Sequence, residues 1–256
     1  MYTYLFLYVF FFLLYNLLFV SPLTGAIALD DEILNVLDGV VDAFYPGPHG
    51  AQAIADVLFG EYSPSGRSPI TFYKSTSDLP ALDEMNWYPS NVSNGISYRY
   101  FTQDVLFPFG SGMSYTTFKY DNMVVDKKTI SSCDTVTVSI DVTNTGTMDS
   151  DEVVQCYVKQ PHASVPVPQV RLVGFSRINL KIGEKKTVVV EIKPKSHTAV
   201  LKGDVVGEEI YTAGDSVVVE KGVFELYCGC GQPDFNEENV MMELIEVMDS
   251  KVVSEC

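Results

Sequence analysis

Val136, Val138, Ile140 and Val142 alternate with Thr137, Ser139, Asp141 and Thr143. Successive side chains of a strand point to opposite faces, so a period of two commits this segment to a strand with one buried and one wetted face. Such a strand needs partners, and the sequence offers them. Val153 to Lys159, Arg171 to Ile178, Thr187 to Ile192 and Val223 to Cys228 are short apolar-rich runs separated by Gly or Pro. Asn144-Thr145-Gly146 supplies turn chemistry between two of them. Short strands punctuated this way predict an antiparallel, immunoglobulin-like β-sandwich of about 110 residues. Trp87 lies outside it, so the Cys…Trp…Cys spacing of antibody domains is absent.

Upstream the grammar differs. Val40 to Tyr45 reads as a buried strand stopped at Pro46-Gly47. His49 to Phe59 places Ala51, Ile54, Ala55 and Leu58 on one helical face, with Gly60 behind it, and Ser68 to Phe72 reads as a second strand. Asp30 to Asp38 carries Ile33, Leu34 and Leu37 at helical spacing. Strand, helix, strand is the pattern of a layered α/β domain with parallel strands. One unit is too short to cover both faces of a sheet, so residues 29–117 are expected to be an α/β fragment. Residues 74 to 116 are rich in Ser, Pro, Asn and Gly, and a connection this long is expected to wrap a neighbour.

The chain opens on YLFLYVFFFLLYNLLFV from Tyr4 to Val20, without a charge. That length is near the lower limit for crossing a bilayer. Ala26-Ile27-Ala28 has the small-x-small pattern of a cleavage site, although no Lys or Arg precedes the apolar run. Residues 1–28 are read as a hydrophobic leader: a cleaved signal peptide, an anchor through residues 4–20, or a translated intron ahead of a longer reading frame. The opposite end, 232–256, is an acidic tail. Met241, Leu244, Ile245, Met248 and Val252 share a helical face there, so a surface helix and a disordered tail are the two expectations.

The net charge is −16, which excludes nucleic acid as a partner, since phosphate binding needs clustered Lys and Arg. Cys133, Cys156, Cys228, Cys230 and Cys256 are odd in number, and Cys228 and Cys230 lack the further ligands of a zinc site. His49, His162 and His197 are far apart in sequence. Neither metal nor cofactor is expected.

The order of motifs is specific. Tyr45-Pro46-Gly47, Gly50, Ala53 to Gly60 (AIADVLFG) and Pro64-Ser65-Gly66-Arg67 come first. Ser97-Tyr98-Arg99-Tyr100-Phe101 and Phe107 to Phe118 (FPFGSGMSYTTF) follow. Together they resemble the carboxyl-terminal part of family 3 glycoside hydrolases, the β-glucosidases and β-xylosidases. Val142 to Gly146 (VTNTG), Asp151 to Gln155 (DEVVQ) and Leu172 to Phe175 (LVGF) resemble the fibronectin type III-like domain that closes many members. The resemblance runs from about Leu37 to Gly231 and implies the end of a layered α/β sandwich domain over 29–117, followed by a fibronectin type III-like domain over 118–231. Gly47, Gly60, Gly66, Gly110 and Gly112 are read as turn residues, and Arg99 as an anchor that docks the long connection.

The resemblance also implies hydrolysis of O-glycosyl bonds, with a β-linked glycoside or a xylan-derived oligosaccharide as the intact family's partner. Retaining glycosidases need two carboxyl groups about 5–5.5 Å apart. In the resembled family the nucleophile lies in an amino-terminal barrel, and in many members the acid/base lies ahead of the Y-P-G block. Neither segment precedes Tyr45, and Asp151-Glu152 are strand neighbours facing opposite ways. No catalytic residue is therefore assigned, and the chain alone is expected to be inactive. Tyr73-Lys74-Ser75, Leu79-Pro80 and Asp83 to Pro89 (DEMNWYP) look more like the β-xylosidase branch. A non-enzymatic β-sandwich binding module, secreted or anchored, is the alternative. Asn91-Val92-Ser93 is the single glycosylation sequon and marks Asn91 as a glycan site if the chain is secreted or lysosomal.

Overall fold

The computed structural model describes residues 9–13, 16–21, 28–29, 31–81, 95–164, 167–196, 199–202, 216–252 and 256. The amino-terminal part contains β1 (Val9–Leu13), β2 (Asn16–Ser21), α1 (Asp31–Leu34), β3 (Gly39–Asp42) and α2 (Gly50–Leu58). β1 and β2 are antiparallel, and β2 and β3 run parallel with Phe19 opposite Val40. Two strands thus lie inside the segment read as a leader. An unbroken apolar run has no period of its own, so its sequence reads equally as a leader or as a strand of a parallel sheet. No helix among the described residues is long and apolar enough to cross a membrane.

The expected helix over 49–59 is α2. The expected strand over 68–72 shrinks to β4 (Phe72–Tyr73), which pairs antiparallel with β5 (Val105–Phe107). Pro69 has no N–H to give a ladder, and the Ser68 backbone is already bonded to the 110–111 loop. The parallel neighbour of β3 is therefore β2, a strand from the leader. Between β4 and β5 lies one short helix, α3 (Ser97–Tyr100). Residues 83 to 89 and Asn91 fall outside the described residues.

The sandwich holds most of the buried apolar side chains. One sheet has β10 (Arg171–Leu180), β9 (Ser150–Lys159), β14 (Gly222–Gly229), β15 (Val240–Val247) and β7 (Thr129–Ile130), in that order. The other has β11 (Lys185–Ile192), β8 (Val136–Asn144) and β6 (Phe118–Val125). A small sheet joins β12 (Ala199–Lys202), β13 (Ser216–Val219) and β16 (Lys251–Val252). In β8 the four predicted inward residues are buried and their neighbours half-buried. Val138, Ile140, Val154, Phe224, Leu226 and Ile245 fill the space between the two larger sheets.

The acidic tail is neither helix nor disordered over 240–247. It forms β15, antiparallel to β14 from Gly222 opposite Val247 to Gly229 opposite Val240. Its inward residues, Ile245 and Val247, are fully buried. Cys133 is disulfide-bonded to Cys256 and Cys156 to Cys228, leaving Cys230 as the free thiol.

Candidate functional site

Several of the polar contacts that join the two halves gather around β9. Glu152 shares its face with Val154, Cys156 and Val158, all buried in the core. A carboxylate at an inward position must find partners, because water cannot solvate it there. Arg67 supplies them: its Nη2 donates to Oε1 at 2.8 Å and to Oε2 at 2.6 Å. Tyr120 donates its hydroxyl to Oε1 at 2.9 Å. The Glu152 and Arg67 side chains are only 1% and 10% exposed. Burial pushes the Glu152 carboxyl above its ordinary range, against the opposing pull of Arg67 and Tyr120. Burial, then the Glu152 charge, raises the Tyr120 hydroxyl far beyond its ordinary value, so it stays a donor.

Asp151, one residue earlier, faces the other way. It accepts from Arg177 Nε and from Asn179 Nδ2, each at 2.8 Å, and the Asn179 bond leads the effects that hold its carboxyl low. Arg177 also donates to Ser65 at 2.9 Å, and Ser150 bonds Ser63 at 2.9 Å. The Ser63–Arg67 loop is thus fixed to β9 and β10 by three side chains.

A second loop lies against the outward face of β9. Gln155 Nε2 donates to Gly110 O at 3.0 Å, and Tyr157 donates to Gln155 Oε1 at 2.6 Å. Gly110 has φ +80°, and a Cβ there would collide with the Gln155 amide and the Tyr157 hydroxyl. Gln232 donates to Phe109 O at 2.7 Å. The two loops also bond each other. Ser68 N donates to Ser111 O at 2.8 Å and Gly110 N to Ser68 O at 2.7 Å. Gly112 sits so close to Gly66 O that only glycine fits.

Tyr98 anchors the long connection alongside Arg99. Its ring stacks on Phe109 at 4.1 Å, meets Tyr157 edge-on at 6.4 Å, and its hydroxyl accepts from Leu172 N at 3.3 Å. The Arg99 guanidinium stands 5.9 Å over the Tyr98 ring, and the Arg99 carbonyl accepts from Gln169 N at 2.8 Å. Arg171 is half-buried nearby, and desolvation brings its guanidinium down to about 10.

Glu152, Gln155 and Tyr157 carry this arrangement, and no functional role was expected of them. One signal was available for Glu152: a charged residue in register with Val154, Cys156 and Val158. Nothing comparable marks Gln155. His49 and His162 are exposed and on separate loops, and no cluster able to hold a metal ion occurs among the described residues.

The profile of the glycosyl hydrolase family 3 C-terminal domain matches residues 16–115, and that of a fibronectin type III-like domain matches 152–231. The first match begins inside the apolar leader. A periplasmic beta-glucosidase of Salmonella typhimurium is 36% identical over 200 residues, covering 74% of this chain and 26% of the relative. A xylan 1,4-beta-xylosidase of Xylanibacter ruminicola is 38% identical over 182 residues, covering 71% of this chain and 20% of the relative. Among solved structures, beta-glucosidase 3B from Thermotoga neapolitana in complex with alpha-D-glucose superposes with TM-score 0.73 at 25% identity, over 91% of this chain and 31% of that one. The chain thus spans about a quarter or less of the length of these curated relatives. With both profiles matched in order and the same two-part architecture in the solved relatives, the chain belongs to glycoside hydrolase family 3, corresponding to its carboxyl-terminal part with the fibronectin type III-like domain.

Proposed function

We propose that this chain is the non-catalytic carboxyl-terminal portion of a family 3 glycosidase acting on β-linked glycosides, with a β-xyloside or xylan-derived oligosaccharide favoured over a β-glucoside. The observation that carries the reading is the fate of Asp151 and Glu152. One carboxylate is tied to Arg177 and Asn179, the other is sealed inside against Arg67 and Tyr120. Both serve architecture, so they do not form a nucleophile and acid/base pair about 5–5.5 Å apart across a substrate. Tyr73-Lys74-Ser75 and Leu79-Pro80 support the xylosidase branch, and β-xylosidases stand among the curated relatives beside β-glucosidases. Purified chain should release no nitrophenol from aryl β-xyloside or β-glucoside above buffer. Turnover that co-purifies with the protein through two orthogonal columns would overturn the reading.

A second reading, a secreted or anchored binding module, is favoured by the disulfides Cys133–Cys256 and Cys156–Cys228, because such bonds persist in oxidising compartments. The periplasmic relative fits the same route. On that route Asn91 carries a glycan. A secreted product whose mass does not fall on deglycosylation would remove that part of the reading. Sequencing the full transcript separates the two: coding sequence that continues upstream into a barrel favours the glycosidase, and a transcript starting at Met1 favours the module.

A further inference from the structure

The outward positions of the two sheets differ in a way that assigns the sandwich a task. In β8 the outward residues Thr137, Ser139, Asp141 and Thr143 are half-exposed, as a wetted face requires. In β9 the outward residues Gln155 and Tyr157 are buried as fully as the inward ones, at 3% and 0% exposure. What covers them is the 107–112 loop, through Gln155 to Gly110 and through the Tyr98–Phe109 stack. The inward face of the same strand takes the other loop, through Glu152 to Arg67. The two loops then close on each other through Ser68, Gly110 and Ser111.

We propose that the fibronectin type III-like sandwich has a holding function: β9 is a rail gripped from both faces by the Ser63–Arg67 and Phe107–Gly112 loops, and it fixes the conformation of both. Beyond Phe107, which ends β5, neither loop has a helix or ladder of its own to satisfy its backbone, so the pairs to β9 and to each other are what order them. The grip links the two family profiles, since Arg67 and Gly110 in the first are held by Glu152 and Gln155 in the second. Glu152 and Gln155 are positioning residues, one on each face.

Amide hydrogen exchange on the full chain tests this from both sides of the contact. Gln155→Ala removes the grip from the sandwich. Gly110→Ala removes it from the loop, where the new Cβ collides with Gln155 and Tyr157 while every strand residue keeps its identity. In both variants the amides of residues 68 and 110 should exchange at least tenfold faster, trypsin should cut after Arg67, and the amides of Val138 and Ile140 should keep their protection. Three results would overturn the proposal. Unchanged loop exchange in both variants would make the contacts incidental. Loosening of the 107–112 loop with Arg67 still protected would mean two separate contacts rather than one grip. Equal acceleration in loops and β8 would mean the loops belong to the core instead of being held by it.

Discussion

The sandwich and the α/β segment bury their apolar residues differently. In β8 every second side chain is sealed and its neighbours are wet. In β3 all four residues, Gly39 to Asp42, are half-buried, and Val36, Tyr45 and Phe59 around it are 60%, 77% and 72% exposed. The sandwich encloses its apolar side chains between two sheets, and the α/β segment leaves several of its own exposed. Composition alone does not separate them, because both are rich in Val, Ile and Phe. What separates them is whether a second layer lies within reach of the apolar face.

The sharpest way to break this contrast is a matched pair of truncations. Phe224→Ala, at a side chain 1% exposed between the sheets, should cost about 3–5 kcal/mol, because a cavity adds to the lost transfer energy. Ile54→Ala, on the half-buried face of α2, should cost less than about 1.5 kcal/mol. Urea denaturation of both variants checks this, and similar midpoint shifts would erase the distinction.

The contact between the regions should come next in size. Arg67→Met leaves Glu152 and Tyr120 facing an apolar side chain. Breaking a buried pair costs about 3 kcal/mol or more, less here because Arg67 is partly exposed. Replacing both partners, Arg67→Met with Glu152→Leu, should recover at least half of that loss, since no charge is left buried. A double variant worse than either single one would show that the pair is held by something other than its charge.

A smaller effect is the pH dependence. Because burial raises the Glu152 carboxyl in the folded state, its contribution is full below its unfolded value near 4.5 and is lost as pH rises through the higher folded value. Asp151 has the opposite sign: held low by Asn179 and Arg177, it stabilises above the ordinary carboxylate range and less as pH falls through its depressed value. Glu152→Gln should therefore flatten the decline of melting temperature above pH 4.5, and Asp151→Asn should flatten the loss on acidification. Interchanged slopes would reverse the assignment of the two faces. Smallest of all, Lys185→Ala on the outer surface of β11 should lower the melting temperature slightly, and less at high salt, because the Lys185 end of its pair with Asp141 is exposed and screened.

How much was legible follows the range of the interaction. The strands β8, β9, β10, β11 and β14 and the helix α2 are visible from neighbours a few residues apart, because burial of one face writes a period into the sequence. β15 was hidden because Met241, Leu244, Ile245 and Met248 fit a helical face, whereas in the strand Leu244 and Met248 are exposed and Ile245 is buried. Only pairing with β14 selects the extended form. β1 and β2 were hidden because an apolar run without alternation has no readable face. The Arg67–Glu152 contact bridges 85 residues, and no local pattern announces which carboxylate Arg67 will find.

The sequence by itself determined that this chain builds a β-sandwich behind an α/β segment, and its ordered motifs determined the family. Those are properties of backbone period, turn chemistry and motif order, all of which are local. The tertiary structure alone decided that Glu152 points inward to meet Arg67, that Gln155 and Tyr157 are covered by the 107–112 loop, and that the acidic tail adds a strand between β14 and β7. Each depends on a long-range partner, and the free energy of a buried polar group is set by that partner rather than by its neighbours along the chain.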